Sequence, residues 1–284
     1  MSRVRIVTDS TSDIPKATRE KLGIEMVPLK IHLDGETYLD AVTLDAEQFY
    51  HKLVAAHSMP TTSQPSPAEF LALYEKLLAE DPEVTILSIH LSSAMSGTYQ
   101  SALLAKSMLD EEDRVQVIDS KTACYGIGAL VVAAAEAARE GKSLEECVEI
   151  VRKIRESFVI YFLVDTLEYL QKGGRIGKAS ALIGSLLNIK PILSVDPEGE
   201  IASVDKVRGQ KKAMARIIEM MRRDIPGGDI HISVAHANNT EAAEELYRLI
   251  EQNFTIKSMQ YITIGPVIGT HAGPGTVAAF VSPA

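Results

Sequence analysis

Along the first half of the chain, short apolar runs rich in Val and Ile alternate with longer stretches whose apolar residues recur three and four positions apart. Residues 4–8, 25–33, 84–91 and 115–119 read as strands, with periodic helices between most of them. Such alternation predicts a largely parallel sheet covered on both faces. Two helix starts are marked by capping boxes, Ser66-Pro67-Ala68-Glu69, with proline at the first helical position, and Ser143-Leu144-Glu145-Glu146. After Glu156 the pattern changes. A strand at 158–164 leads to a short helix and the glycine-rich "KGGRIGK", and a hairpin follows in which 189–195 turns at "DPEG" into 201–207. Helices at 209–223 and 240–253 then interleave with strands at 229–235 and 258–264. The pattern predicts an α/β protein of two domains. Residues 1–155 form a three-layer αβα domain with a mostly parallel sheet, and residues 156–284 form a mixed-sheet α/β domain.

Composition narrows the function more than the fold. With 284 residues, 46% of them hydrophobic, the chain can bury a substantial core. Its 38 acidic and 29 basic side chains give a net charge of -9, which repels nucleic acid and anionic membranes. The densest basic cluster, residues 206–216, reads as the solvated face of a helix. Only Cys124 and Cys147 are present, without a CxxC, which fits a reduced cytoplasmic protein. "MSRVRIVTDS" reads as a strand start instead of a signal sequence, and the most apolar stretch, 127–138, is broken by Glu136 and too short to span a bilayer. The expectation is a cytoplasmic protein with no transmembrane segment.

In parallel sheets ligands bind beyond the carboxyl ends of the strands. Four loops fit that position: "TDSTSD" (8–13), "MPTTSQPSP" (59–67), "LSSAMSGTYQSA" (91–102) and "IGPVIGTHAGPG" (264–275). Their hydroxyls read either as helix caps or as anion donors, Ser96 being the best pure cap. Pro60, Pro65 and Pro67 stiffen the second loop and hold Thr61, Thr62 and Ser63 extended. His271 is the single histidine of a glycine- and proline-rich loop, where backbone can approach a ligand closely. Sharper motifs are missing. There is no GxSxG, and "GGRIGKAS" fails as a P-loop because its glycines are one residue too close and Ala179 stands where Ser or Thr is required. No spacing of His or Cys suits a metal. What remains is a set of neutral donors, suited to an anion carried on a largely apolar ligand and not to a polyphosphate. A second reading is a serine hydrolase or acyltransferase using Ser93, with His271 as base and Asp9 as a third group.

Six segments in order, "VTDSTSDIP", "PTTSQPSP", "LSSAMSGTYQSA", "DSKTACYGIG", "YLQKGGRIGK" and "GPVIGTHAGPG", resemble the DegV family of bacterial fatty-acid-binding proteins, from about Val4 to Ala278. The resemblance implies two α/β domains with a long-chain fatty acid such as palmitate between them. Thr61, Thr62 and Ser93 would hold its carboxylate, and His271 from the second domain would complete the network. The tail would run along residues 158–163 and a helix at 181–187. It further implies a carrier and not an enzyme, without cofactor or metal, that presents the carboxylate to a separate fatty acid kinase for acyl phosphate formation, a phospholipid precursor. Arg175, between glycines, is the expected exposed, kinase-facing residue.

Overall fold

The computed structural model describes residues 3–183, 189–225, 227 and 229–284. Thirteen strands are present among them: β1 (Val4–Asp9), β2 (Glu25–Val27), β3 (Lys30–Leu33), β4 (Glu36–Leu39), β5 (Thr61–Ser63), β6 (Thr85–His90), β7 (Val115–Asp119), β8 (Val159–Leu163), β9 (Ile189–Val195), β10 (Ile201–Arg208), β11 (Asp229–His236), β12 (Thr255–Thr263) and β13 (Val277–Pro283). They make a parallel four-stranded sheet in the order β2-β1-β6-β7 and a six-stranded sheet in the order β10-β9-β8-β13-β11-β12. In the larger sheet only β11 and β12 run parallel. The expected α/β class, with its parallel and mixed sheets, is the one observed.

Period-two alternation explains the layering of the N-terminal unit. Val7 of β1 and Ile86 of β6 point into one core with Phe70, Tyr74 and Leu77 of the helix Pro67–Leu78. Ile6 and Leu87 point the other way, against Ile127, Leu130 and Val131 of the helix Tyr125–Arg139. Both predicted capping boxes form, at Ser66 and Ser143, and Asp45 makes a third.

The two long helices of the C-terminal unit cover one face of its sheet. Tyr161, Leu163 and Ile192 pack under the helices Gln210–Asp224 and Thr240–Glu251. From the opposite face Ile160, Phe162, Ala278 and Phe280 enter the same core as Ile127 and Leu130 of the first unit. The two units therefore meet across one continuous apolar core. The expected boundary at residue 155 falls in the last turn of the helix Leu144–Ser157, which leads directly into β8.

Several expectations are corrected. The run 25–33 is two strands, because Pro28 cannot donate to the ladder; β3 leaves the parallel sheet and pairs with β4 and β5 in a small antiparallel sheet. β13 lies in the middle of the larger sheet, and its Val277 to Val281 are buried on both faces, so no polar alternation marks it. The loop holding His271 contains a short helix, Pro266–Ala272, with proline at its first turn. The basic residues 206–216 lie partly on β10 and partly on the following helix, not on one helix face. The segment 181–187 falls largely outside the described residues, and its visible start is a 3-10 turn, Gly177–Leu182. No helix of the described residues is long and apolar enough to cross a membrane.

Candidate functional site

Between the two units lies a cavity whose empty space, its open mouth included, is about 930 Å³. Most of its wall is apolar. Ile160 and Phe162 of β8, Ala278 and Phe280 of β13, Val195 and Ile201 at the hairpin tip, and Leu29, Leu91, Cys124, Ile264 and Val267 all contribute. Thr62, Gln64, Ser96, Arg175, His271 and Thr276 supply its polar or charged side chains. Such a lining, apolar with a few polar groups, is that of a site for a small, largely hydrophobic ligand.

The alternation of β5 separates two threonines that the sequence leaves open. Thr62 lines the cavity, and a 2.8 Å hydrogen bond joins its Oγ1 to His271 Nε2 across 209 residues of sequence. Thr61 is exposed on the other side of the strand, where neighbouring Ser63 bonds to His32 Nε2 at 2.9 Å. The pair Thr62 and His271 thus spans the two units. Burial, helped by the charge of Arg175, lowers the His271 pKa to about 4, so the imidazole is neutral at ordinary pH. Its buried Nδ1 has no hydrogen-bond partner.

The start of the helix that carries His271 is tied to the first unit. The Tyr50 hydroxyl donates to the Ile264 carbonyl at 3.0 Å, and the Gly265 amide donates to Asp13 Oδ1 at 3.1 Å. Asp40 lies beside Asp13, and neither of its carboxyl oxygens reaches hydrogen-bonding geometry, although the Ser10 hydroxyl and the Ala41 and Val267 amides face it. Burial pushes the Asp40 pKa up to about 7. A carboxyl whose folded pKa is raised contributes stability fully below its unfolded pKa, and that contribution is lost as pH rises through the folded value. Asp40→Asn is therefore expected to stabilise the protein relative to wild type more at pH 8 than at pH 5, measured by urea denaturation at the two pH values.

The hydroxyl corner after β6 is arranged differently from expectation. The Ser93 hydroxyl and amide both donate to Asp119, and Ser93 does not line the cavity. Ser92 is fully buried and donates to the Gly199 carbonyl of the hairpin turn at 2.8 Å. Ser96 accepts from the Thr98 amide at 3.3 Å, a cap-like contact, and also lines the cavity. The sequence signal favouring Ser93, a hydroxyl just past a strand end, does not reveal that Asp119 at the end of the adjacent strand takes it up.

Arg175 is half-buried and borders the cavity, not the exposed loop tip expected of it. Its Nε donates to the Met95 carbonyl at 3.0 Å and its Nη1 to the Gly173 carbonyl at 2.7 Å. The hydrolase grouping does not assemble either. Ser93 bonds Asp119, His271 bonds Thr62, and Asp9 bonds His90, in three separate sets. A Ser–His–Asp chain does exist deeper in the fold: the Tyr74 hydroxyl donates to Ser88 Oγ at 2.7 Å, Ser88 Oγ bonds His90 Nε2 at 2.6 Å, and His90 Nδ1 bonds Asp9 Oδ2 at 3.0 Å. All four side chains are fully buried and none lines the cavity, so this chain is part of the core and not a reactive centre. Among the described residues no group of three or more His, Cys, Asp or Glu side chains is placed to hold a metal ion.

Comparison with known proteins follows the same outline. Residues 3–284 match the sequence model of the DegV family, described as uncharacterised proteins. A DegV domain-containing protein of Caldanaerobacter subterraneus subsp. tengcongensis is 41% identical over 281 residues, covering 99% of each chain. Among solved structures, a DegV family protein from Thermus thermophilus described by its fatty acid binding superposes with a TM-score of 0.93 at 36% identity, over 99% of this chain and 100% of that one. DegV from Bacillus subtilis, described as a fatty acid binding protein, superposes with a TM-score of 0.89 at 37% identity over the whole of both chains.

Proposed function

This chain belongs to the DegV family, and we propose that it is a carrier that holds one long-chain fatty acid in the cavity between its two units. The observation that carries the reading is the joining of an apolar cavity to the neutral Thr62 and His271 pair on its wall. At about 0.8 kcal/mol per buried methylene, a tail of about fifteen carbons contributes on the order of 12 kcal/mol before ordering costs. The tail supplies affinity, and the polar pair selects the head group. Two relatives of the same fold described as fatty acid binding support the assignment.

The carboxylate end lies at Thr62, Gln64, Ser96 and His271, and Gln64 is itself exposed, which leaves the head group within reach of a second protein. On this reading a separate fatty acid kinase phosphorylates the carboxylate to an acyl phosphate while the tail stays in the cavity, and Arg175 beside the head group faces that step. The carrier itself performs no chemistry. Protein purified from cells is expected to release about one long-chain fatty acid per chain on organic extraction, measured by mass spectrometry; well-folded protein that yields none, and takes up none when offered palmitate, overturns the reading. Acyl phosphate formation by a fatty acid kinase of the same organism, dependent on added carrier, tests the presenting role separately.

A further inference from the structure

Gln64 follows β5 at two residues from Thr62, so the alternation of extended chain puts both side chains on the cavity side, one at each end of a step of about 7 Å. Pro65 is buried and restricts the backbone at Gln64 to extended geometry. The side chain then rests on Gly97, the residue before the helix Thr98–Ser107. A Cβ built on Gly97 would lie 2.5 Å from Gln64 Nε2, 2.8 Å from Cδ and 2.9 Å from Oε1, so the whole amide occupies the space a side chain there would need. The Gly97 backbone, at φ -75°, does not itself require glycine. Glycine at 97 is explained by the amide it seats. That amide makes no hydrogen bond to any other described residue, although its side chain borders the same cavity as Ser96, Arg175 and His271.

We propose that Gln64 is a head-group recognition residue, its amide held by Gly97 at the cavity mouth so that it donates to the ligand carboxylate beside Thr62 and His271. The inference rests on the fatty-acid reading above and adds to it a third donor and the residue that positions it. A neutral amide supplies a donor without a fixed positive charge, which keeps the carboxylate bound yet free to act as a nucleophile toward a phosphoryl donor or to be released.

The test uses full-length protein stripped of lipid, with palmitate and hexadecanol as probes. Gln64→Leu is expected to weaken palmitate binding about 5- to 20-fold and to leave hexadecanol within about twofold. Gln64→Glu, of the same size, places a carboxylate against a carboxylate and is expected to weaken palmitate further. Gly97→Ala displaces only the far end of a flexible side chain; it is expected to reproduce the loss in the wild-type background and to have no effect in Gln64→Ala, with melting curves confirming that each variant folds. Equal losses for acid and alcohol, no loss in either Gln64 variant, or a Gly97→Ala effect that persists in Gln64→Ala overturns the inference. Wild-type protein that binds neither probe overturns the fatty-acid reading itself, and this inference with it.

Discussion

His271→Ala is expected to weaken palmitate binding about 10- to 100-fold while changing hexadecanol binding little. A hydrogen bond to a charged group contributes about 1.5–3 kcal/mol, and each 1.4 kcal/mol is about tenfold in affinity. The imidazole is suited to this because it is neutral before the ligand arrives, its pKa lowered to about 4 by burial and by Arg175. A carboxylate placed against it favours the protonated form and raises that pKa, so binding takes up a fraction of a proton at pH 5 to 6 and almost none at pH 8. Titration calorimetry in two buffers of different ionisation enthalpy measures the uptake. Wild-type affinity in His271→Ala, or equal losses for acid and alcohol, places the head group elsewhere. Thr62→Val retains shape and removes the hydroxyl bonded to Nε2, and is expected to give a smaller loss in the same direction.

The largest stability effect is expected at His90. Asp9 Oδ2 accepts from both His90 Nδ1 and the Leu91 amide, each at 3.0 Å, and Asp9 Oδ1 accepts from the Thr11 amide at 3.0 Å. The imidazole also packs edge-on against Phe70, with ring centroids 4.9 Å apart. His90→Ala leaves a buried carboxyl and the Ser88 hydroxyl short of a partner and opens a void, at a cost of about 3–5 kcal/mol. For a chain of this size that lowers the melting temperature by roughly 10 °C. His90→Phe refills the volume without restoring the hydrogen bonds, so it separates the two contributions; a melting temperature equal to wild type in His90→Phe would show that the polar chain contributes nothing to stability. Fatty-acid affinity of whatever His90→Phe protein remains folded is expected to change little, since none of the side chains of Tyr74, Ser88, His90 and Asp9 lines the cavity.

The elements most legible in the sequence are those with a one-sided or doubly apolar pattern and a marked start. β1, β6 and β7 are such runs, and Ser66 and Ser143 announce their helices through the side chains that cap them. β5 and β13 escape for opposite reasons. Thr61 to Ser63 is polar throughout and becomes a strand only because β3 offers it a ladder, whereas Val277 to Val281 is buried on both faces and follows directly on a glycine-rich turn. The site shows the same division. Motif and chemistry point to four loops, but strand alternation puts Thr62 and not Thr61 on the cavity wall, and the side chain of Asp119, 26 residues away, holds Ser93 off it. A charged residue between glycines reads as exposed, yet Arg175 is drawn inward by the Met95 carbonyl of the other unit. Such choices are made by tertiary partners that no local pattern contains.

On the proposed reading, the continuous core across the two units would give the fatty acid a second role. A hydrocarbon tail held among Ile160, Phe162, Phe280 and Leu91, as proposed, would touch side chains of both halves and tie them together. Occupancy and folding then draw on the same contacts, and the filled form gains about 2.7 kcal/mol when free fatty acid stands at a hundred times its dissociation constant. The lifetime of the protein in a cell would thereby rise and fall with lipid supply, making its abundance a slow record of how much fatty acid had been on offer.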